Sequence, residues 1–370
     1  MTRSVDIAIV GGGPAGAAAA IGLAAAGREV LLVERTEGPH HKVCGEFLSV
    51  ETCDELARLG VDARALGSVP IDTLSLRGQG RDRTVALPFR ALSLSRYRLD
   101  EALLERAAER GARLARGTDV RAVDRLDNGW RLQCSDGAVV ECRHLVLATG
   151  KRTVRGAGDA RDRSMVGLKM HLRPSAHTAR ALAGRVELCM AGGGYAGLEL
   201  VENGIANLCL LLPRAVVAGL DPGWASLRDF LIARSACLGE RLDGAEPRWA
   251  RPMAVVCPVG GHVGPAAAAS DGAFRIGDRL AHIPPFTGDG IAIALCSAAL
   301  AVEHFQAGAD AAAYAAAARR TIAPPVRRAG AVSWLVGRTA GRAILSLAAR
   351  MPGVLSAIAR ETRIVSRAPR

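Results

Sequence analysis

Lysine is nearly missing from this chain: three, at 42, 151 and 169, stand among 48 basic residues, so the net charge of +12 is carried by arginine. Aromatic side chains are scarce as well, at 4%. A nucleic-acid reader needs a basic stripe interleaved with stacking aromatics, and neither that stripe nor a reader motif occurs, which excludes a nucleic-acid partner. Nine cysteines lie at 44, 53, 134, 142, 189, 209, 237, 257 and 296 with no Cys-x-x-Cys pair and an odd total. That spacing points to no zinc or other metal site and to no disulfide framework, and fits a reducing cytoplasm. No run of 18 apolar residues escapes charge, so no membrane-spanning helix is expected, and no basic leader with a cleavage site opens the chain.

What is present suits a protein with a sizeable core, since 49% of the 370 residues are hydrophobic and 23% charged. The 42 glycines follow no fixed period, so they punctuate turns and ligand loops. Val5 to Val10 is a β-branched run expected to form a strand buried in a parallel sheet, and Ala15 to Ala26 reads as the helix after it. Between them Gly11-Gly12-Gly13-Pro14-Ala15-Gly16 holds the three glycines of a dinucleotide fingerprint. Gly11 allows the tight turn, Gly13 lets a pyrophosphate approach the backbone, and Gly16 lets helix and strand pack closely. The helix N-terminus adds N–H groups and positive dipole. The next strand, Glu29 to Val33, ends in Glu34, 18 residues beyond Gly16 and placed to accept ribose hydroxyls.

A second glycine-rich helix start lies near the far end, where Phe274 to Asp278 reads as a strand ending in Gly-Asp, followed by Pro284-Pro285-Phe286-Thr287-Gly288-Asp289-Gly290 and an apolar helix from Ile291 to Val302. With these motifs the chain resembles the FAD-dependent family of aromatic-ring monooxygenases, flavin halogenases and geranylgeranyl reductases. The resemblance implies FAD as cofactor. It assigns Gly277 and Asp278 to the ribityl chain, and Gly288 and Gly290, with Asp289 and Ile291 beside them, to the isoalloxazine and pyrophosphate. It also covers Arg96-Tyr97-Arg98-Leu99-Asp100 at a helix start and His144 to Gly150, a strand ending in Ala-Thr-Gly. Arg35, Arg96, Val120, Gly150 and Pro285 are further cofactor contacts on this reading. Lys42-Val43-Cys44-Gly45-Glu46-Phe47-Leu48-Ser49 is similar to the Lys-x-Cys-Gly-Gly loop of the reductases and the Gly-Glu-Ser loop of the halogenases, which places Cys44 beside the flavin.

Three departures narrow the activity. Where ring hydroxylases carry Asp-Gly after the Ala-Thr-Gly strand, this chain has Lys151-Arg152-Thr153, so its electrons come from a separate reductase, from free reduced flavin or from an NAD(P)H docking mode the sequence does not mark. The Gly-Asp-Ala-Ala-His signature reads Gly277-Asp278-Arg279-Leu280-Ala281, with His282 one place late. The halogenase Trp-x-Trp-x-Ile-Pro motif is missing, and the Tyr-x-Trp-x-Phe-Pro stretch of the reductases is reduced to Tyr195-Ala196-Gly197-Leu198-Glu199-Leu200. Gly192 to Gly197 also spells Gly-x-Gly-x-x-Gly, but Leu198–Val201, Glu202-Asn203-Gly204 and Ile205–Leu212 read as strand, hairpin turn and strand rather than a second nucleotide fold.

The expected architecture is α/β, a Rossmann-like FAD-binding domain of the glutathione-reductase type at 1–72, 96–165 and 255–320. An inserted, mainly antiparallel β-sheet substrate domain takes 73–95 and 166–254. C-terminal helices follow at 321–370, starting after Pro324-Pro325 and breaking at Pro352-Gly353, with apolar positions at Trp334, Leu335, Ile344, Leu345, Leu347, Met351, Leu355 and Ile358. Nine arginines against the single acid Glu361 make that segment +8. It reads as a helical cap, with peripheral membrane contact as the alternative.

The expected function is that of an FAD-dependent oxidoreductase on a lipophilic or aromatic small molecule. A monooxygenase of a phenolic or polyketide-like secondary metabolite comes first, and a C=C reductase or dehydrogenase of the geranylgeranyl reductase type second; a flavin-binding protein without turnover is a third reading. Cys44, Glu46, Tyr195 and Pro285 are expected to converge on the flavin ring. Glu46, beside apolar Phe47, is expected to have a raised pKa and to act as general acid or base, against a reading in which it pairs with an arginine at the surface.

Overall fold

The computed structural model describes residues 2–78, 82–152, 154–156, 164–257, 261–264, 271–336, 361, 363 and 364. Two sheets organise them. The first has Thr2–Val10 between parallel neighbours Val30–Val33 and Val139–Leu147, with Arg113–Ala115 outside the former. Gly129–Cys134 and Val120–Leu126 continue antiparallel, and Phe274–Arg275 runs parallel to the end of Val139–Leu147. Period-two alternation explains the two faces. Ile7 and Ile9 pack with helices Pro14–Ala25, Arg96–Glu109 and Gly290–Gln306, while Ala8 and Val10 pack with Val120, Trp130 and Leu132.

The second sheet runs Glu246–Pro247, Met165–Arg173, Ile205–Pro213, Gly194–Val201, Arg185–Ala191, Val69–Arg77, Arg83–Ser93, Phe47–Leu48, with Met253–Cys257 also on Met165–Arg173. Its pairs are antiparallel except Arg185–Ala191 with Val69–Arg77. It therefore begins at Val69, before 73, takes in Phe47–Leu48, and extends to Cys257, past 254. Leu168, Met170, Leu198, Leu208 and Leu210 on one face make a core with Trp224, Leu227, Leu231 and Leu238 of two covering helices.

The glycine run at 192 starts a strand, not a nucleotide-binding helix. Gly194–Val201 and Ile205–Pro213 meet through a turn in which Asn203 and Gly204 have φ of 61° and 67°, the backbone that an Asn-Gly hairpin turn requires.

Helix Ala311–Val336 passes through Pro324 and Pro325, so no element starts there. Proline removes helix hydrogen bonds, but the buried stripe Ala311, Tyr314, Ala318, Ile322, Val326 and Ala329 holds this helix to the first core. Among the described residues no helix is long and apolar enough to cross a membrane. The expected break at Pro352-Gly353 and the apolar positions from Ile344 to Ile358 lie outside the described residues. Arg363 and Ile364 are buried, the latter in the first core.

Candidate active site

One cavity of about 2150 Å³ lies between the two sheets. At its lower end the glycine loop follows the first strand. Gly11 has a φ of 108°, and a Cβ there would stand 2.4 Å from the Ala148 carbonyl oxygen, so the turn and the close approach of two strand ends both require glycine. A Cβ on Gly16 would lie 1.9 Å from the Gly11 carbonyl, which makes Gly16 a packing residue that does not reach the cavity. Gly13 differs: a Cβ on it would meet only Arg96 Nη2, at 3.5 Å, and would project into open space at the cavity wall. Gly13 caps helix Pro14–Ala25 without a side-chain bond, and the first turn holds no acid, so the helix start is an anion-accepting cradle.

Glu34 lies on the wall, as does the exposed Arg35. Its Oε2 accepts the Gly12 N–H at 2.7 Å and its Oε1 accepts the Thr36 hydroxyl at 2.6 Å. Burial alone would raise its pKa, but these bonds hold it below the usual carboxylate value. Arg96 grips Asp100 through Nε and Nη2 at 2.5 and 2.7 Å, which fixes its guanidinium beside Gly13.

At the other end Gly150, Gly277, Asp278, Pro285, Gly288, Gly290 and Ile291 line the cavity, with Val120, Pro14 and Ala15 closer to the glycine loop. Lys151 faces Asp278; burial opposes its charge, yet that carboxylate holds its pKa above the ordinary lysine value. His282 Nδ1 stands 3.8 Å from Asp278 Oδ1. Arg152, next to Lys151, is taken by Asp119, with Nη2 donating to Oδ2 at 2.5 Å. Asp289 turns away from the cavity: its Oδ1 accepts from Arg363 Nη1 at 2.6 Å.

The upper wall is the second sheet, and its register writes a polar row into an otherwise apolar surface. Lys169 pairs with Cys209, His171 with Asn207, and Asn207 with Glu199 across three adjacent strands, on the face opposite the leucine core. The loop carrying Cys44 and Glu46 docks on this row. Glu46 is fully buried with φ of 56°. Its Oε1 accepts from Lys169 Nζ and, at 2.8 Å, from the Arg96 backbone N–H, while Oε2 pairs with His171 Nε2 at 2.7 Å. Both sequence readings of Glu46 are corrected here. It is not a surface carboxylate paired with an arginine. Nor is its pKa raised: burial pushes upward, but Lys169 and His171 hold it below the ordinary value. His41 brings a nitrogen within 4.8 Å of the ligand atoms of Glu46 and His171, but the Glu46 oxygens are already taken by Lys169, Arg96 and His171, an ion-pair network rather than a metal centre.

Glu199 has the raised pKa that the sequence reading assigned to Glu46. Buried in the cavity wall, with Asn207 Nδ2 donating to its Oε1 at 2.6 Å, it is pushed up to about 8 by burial and by the nearby Glu46 carboxylate. Asn207 Nδ2 also donates to the Cys44 carbonyl at 3.2 Å, which ties the loop to the row. Tyr195 stands on the same wall with its hydroxyl buried and without a hydrogen-bond partner among the described residues, 6.4 Å from the Phe286 ring. Of the residues expected at the site, Gly16 and Asp289 are the two outside the lining. Glu199, Asn207, Lys169 and His171 were missed, although a lysine and a histidine inside Met165–Arg173, and an asparagine inside Ile205–Pro213, interrupt strands that are otherwise apolar.

Residues 4–167 match the FAD binding domain family. Residues 4–167 are thus an FAD binding domain, and the protein is an FAD-dependent oxidoreductase. FAD is its cofactor, and the open Gly13 cradle and the glycine-bordered far end of the cavity fit such a ligand. The menaquinone reductase of Mycolicibacterium smegmatis is 29% identical over 327 residues, covering 83% of this chain and 78% of that protein. The flavin-dependent brominase Bmp2 superposes with a TM-score of 0.79 at 19% identity, covering 97% of this chain and 93% of the brominase. PqsL, a probable FAD-dependent monooxygenase from Pseudomonas aeruginosa, gives 0.73 at 18% identity over 95% of this chain and all 100% of its own. At those identities the two structures share the fold.

Proposed function

We propose that this flavoprotein reduces an unsaturated bond in a lipophilic substrate and that Glu199 supplies the proton. The observation that carries the reading is Glu199 itself, a carboxyl in the cavity wall whose pKa of about 8 keeps it protonated at neutral pH. Reduction of a C=C bond consumes a hydride equivalent at one carbon and a proton at the other. When bound, FAD supplies the two-electron chemistry. Glu199 gives up its proton to the second carbon, and the Asn207 amide donates to the carboxylate that remains.

The other expected residues take binding and positioning roles in this reading. Gly13, Pro14 and Ala15 receive the pyrophosphate and Glu34 orders the loop that holds it. Asp278, with Lys151 beside it, receives the ribityl chain, while Cys44, Tyr195 and Pro285 border the reacting end. Glu46 is a positioning residue that fixes Lys169, His171 and the Arg96 backbone. We divide the chain accordingly into a cofactor unit built on the first sheet and a substrate unit built on the second.

The size and lining of the cavity support a large lipophilic substrate. A pocket for one drug-sized ligand spans about 300–1,000 Å³, and this cavity holds about 2150 Å³, room for FAD and a second long molecule. Leu74, Leu76, Leu87, Val186, Leu188 and Met190 line its wall on the second sheet. The relative named a menaquinone reductase supports a lipid quinone as first candidate.

The test reduces the bound flavin without oxygen and adds menaquinone in detergent. Oxidation of the flavin together with a product heavier by two hydrogens is the expected result. A flavin that reoxidises only with oxygen, leaving a product heavier by one oxygen atom, would overturn reduction in favour of monooxygenation.

A further inference from the structure

The helix Ala236–Leu242 docks on the strand Arg185–Ala191 through a buried ion pair, in which Arg241 Nε and Nη2 donate to the two oxygens of Glu187 at 2.8 and 3.0 Å. Four residues back along the helix is Cys237, and two residues on along the strand is Cys189. A helix advances about 6 Å in four residues, and a strand advances about 6.6 Å in two. The second rung of this docking therefore brings one thiol to the other, and the two lie within hydrogen-bonding reach. Cys189 is fully buried, whereas Cys237 lines the cavity beside Ser235 and Ala236. The Ser235 hydroxyl is 3.2 Å from its sulfur.

We propose that Cys189 and Cys237 are a redox-active thiol pair on the cavity wall that peroxide converts reversibly into a disulfide. Hydrogen bonds from Cys189 and Ser235 favour the Cys237 thiolate against burial and hold its pKa below the ordinary thiol value, while Cys189 is pushed up. Cys237 is thus the attacking sulfur and Cys189 the resolving one. The Cys237 thiolate breaks the O–O bond of hydrogen peroxide and becomes a sulfenic acid, and the hydroxide released takes up a proton as water. Cys189 sulfur then attacks the sulfenic sulfur, loses its proton, and the departing hydroxide leaves as a second water. Two thiols and one peroxide give one disulfide and two waters. The bond joins helix to strand at the wall, and it is independent of the reaction assigned to Glu199.

The experiment treats the FAD-loaded protein with hydrogen peroxide at equal molarity, blocks remaining thiols by alkylation, and maps peptides without reductant. A Cys189–Cys237 crosslinked peptide, two hydrogens lighter than its parts and restored by dithiothreitol, is expected. Cys189→Ser should leave Cys237 as a sulfenic acid that dimedone traps, and Cys237→Ser should leave Cys189 reduced at the same dose, with the flavin spectrum unchanged in both. Recovery of both cysteines of the wild-type protein as alkylated thiols overturns the proposal, whether or not the variants fold. So does a crosslink of either cysteine to a different partner.

Discussion

Arg363 Nη1 donates to Oδ1 of Asp289 across 2.6 Å, joining residues 74 positions apart in a place nearly closed to solvent. The guanidinium also lies over the rings of Phe89 and Phe47, 4.0 and 5.7 Å from their centroids, and Ile364 beside it is in the first core. Arg363 thereby holds the start of helix Gly290–Gln306, whose preceding loop lines the cofactor cavity.

Arg363→Ala should destabilise the fold by about 3–5 kcal/mol, the scale for stranding one partner of a buried pair. Burial lifts the Asp289 pKa from 3.8 to about 7 despite Arg363. A raised acid contributes stability below its unfolded value and loses it as pH rises through the folded value. The deficit of the variant should therefore be larger at pH 8 than at pH 5, read from urea midpoints. An equal deficit at both would show that the pair is not electrostatic in its effect.

Gly13→Ala and Gly16→Ala separate cofactor binding from folding. The new Cβ at 13 has room in the protein and points into the cavity, so the variant should fold with a normal melting temperature and purify with little FAD. The same change at 16 collides with the Gly11 carbonyl at 1.9 Å and should lower the melting temperature even without cofactor. Stoichiometric FAD in the variant at 13 would mean that the cradle is not where the phosphates sit.

Glu199→Gln keeps the shape of the wall and removes its proton. Turnover should fall by about 10²–10⁴, the usual scale for proton-transfer catalysis, with FAD content unchanged. Stability provides a second readout. The Glu199 pKa is raised from 4.5 to about 8, so the wild type should lose stability between those pH values and the variant should not share that loss. Parallel stability–pH curves for the two proteins would refute the buried neutral carboxyl.

Glu46→Gln acts in the opposite sense. It strands Lys169 in the interior and should destabilise the protein by about 3–5 kcal/mol. The Glu46 pKa is depressed below 4.5, so its contribution is present above that value and fades as pH falls through the folded pKa. Thermal melts at pH 7 and under acid conditions should show the gap between wild type and variant closing in acid. A variant as stable as the wild type at pH 7 would remove Glu46 from the network.

The cofactor half of this protein is written locally. A glycine turn, the strand before it, the helix after it and the acid 18 residues beyond Gly16 are consecutive in the chain, and short-range sterics leave them few other arrangements. Gly11 and Gly16 are required by contacts within that one loop and the adjoining strand end. The polar row on the second sheet is not local, because a carboxyl's pKa depends on what long-range pairing brings to it. Glu46 and Glu199 are both buried carboxylates, and the raised pKa expected of Glu46 belongs to Glu199. Sheet register placed Lys169 and His171 on Glu46, which keeps it charged, and left Glu199 with an amide and a nearby negative charge, which keeps it neutral. Glu46 occupies the second glycine position of the similar Lys-x-Cys-Gly-Gly loop, and its φ of 56° shows the left-handed backbone that glycine adopts easily. The fit of a glutamate there depends on two residues more than 120 positions away, and only the folded chain brings them together.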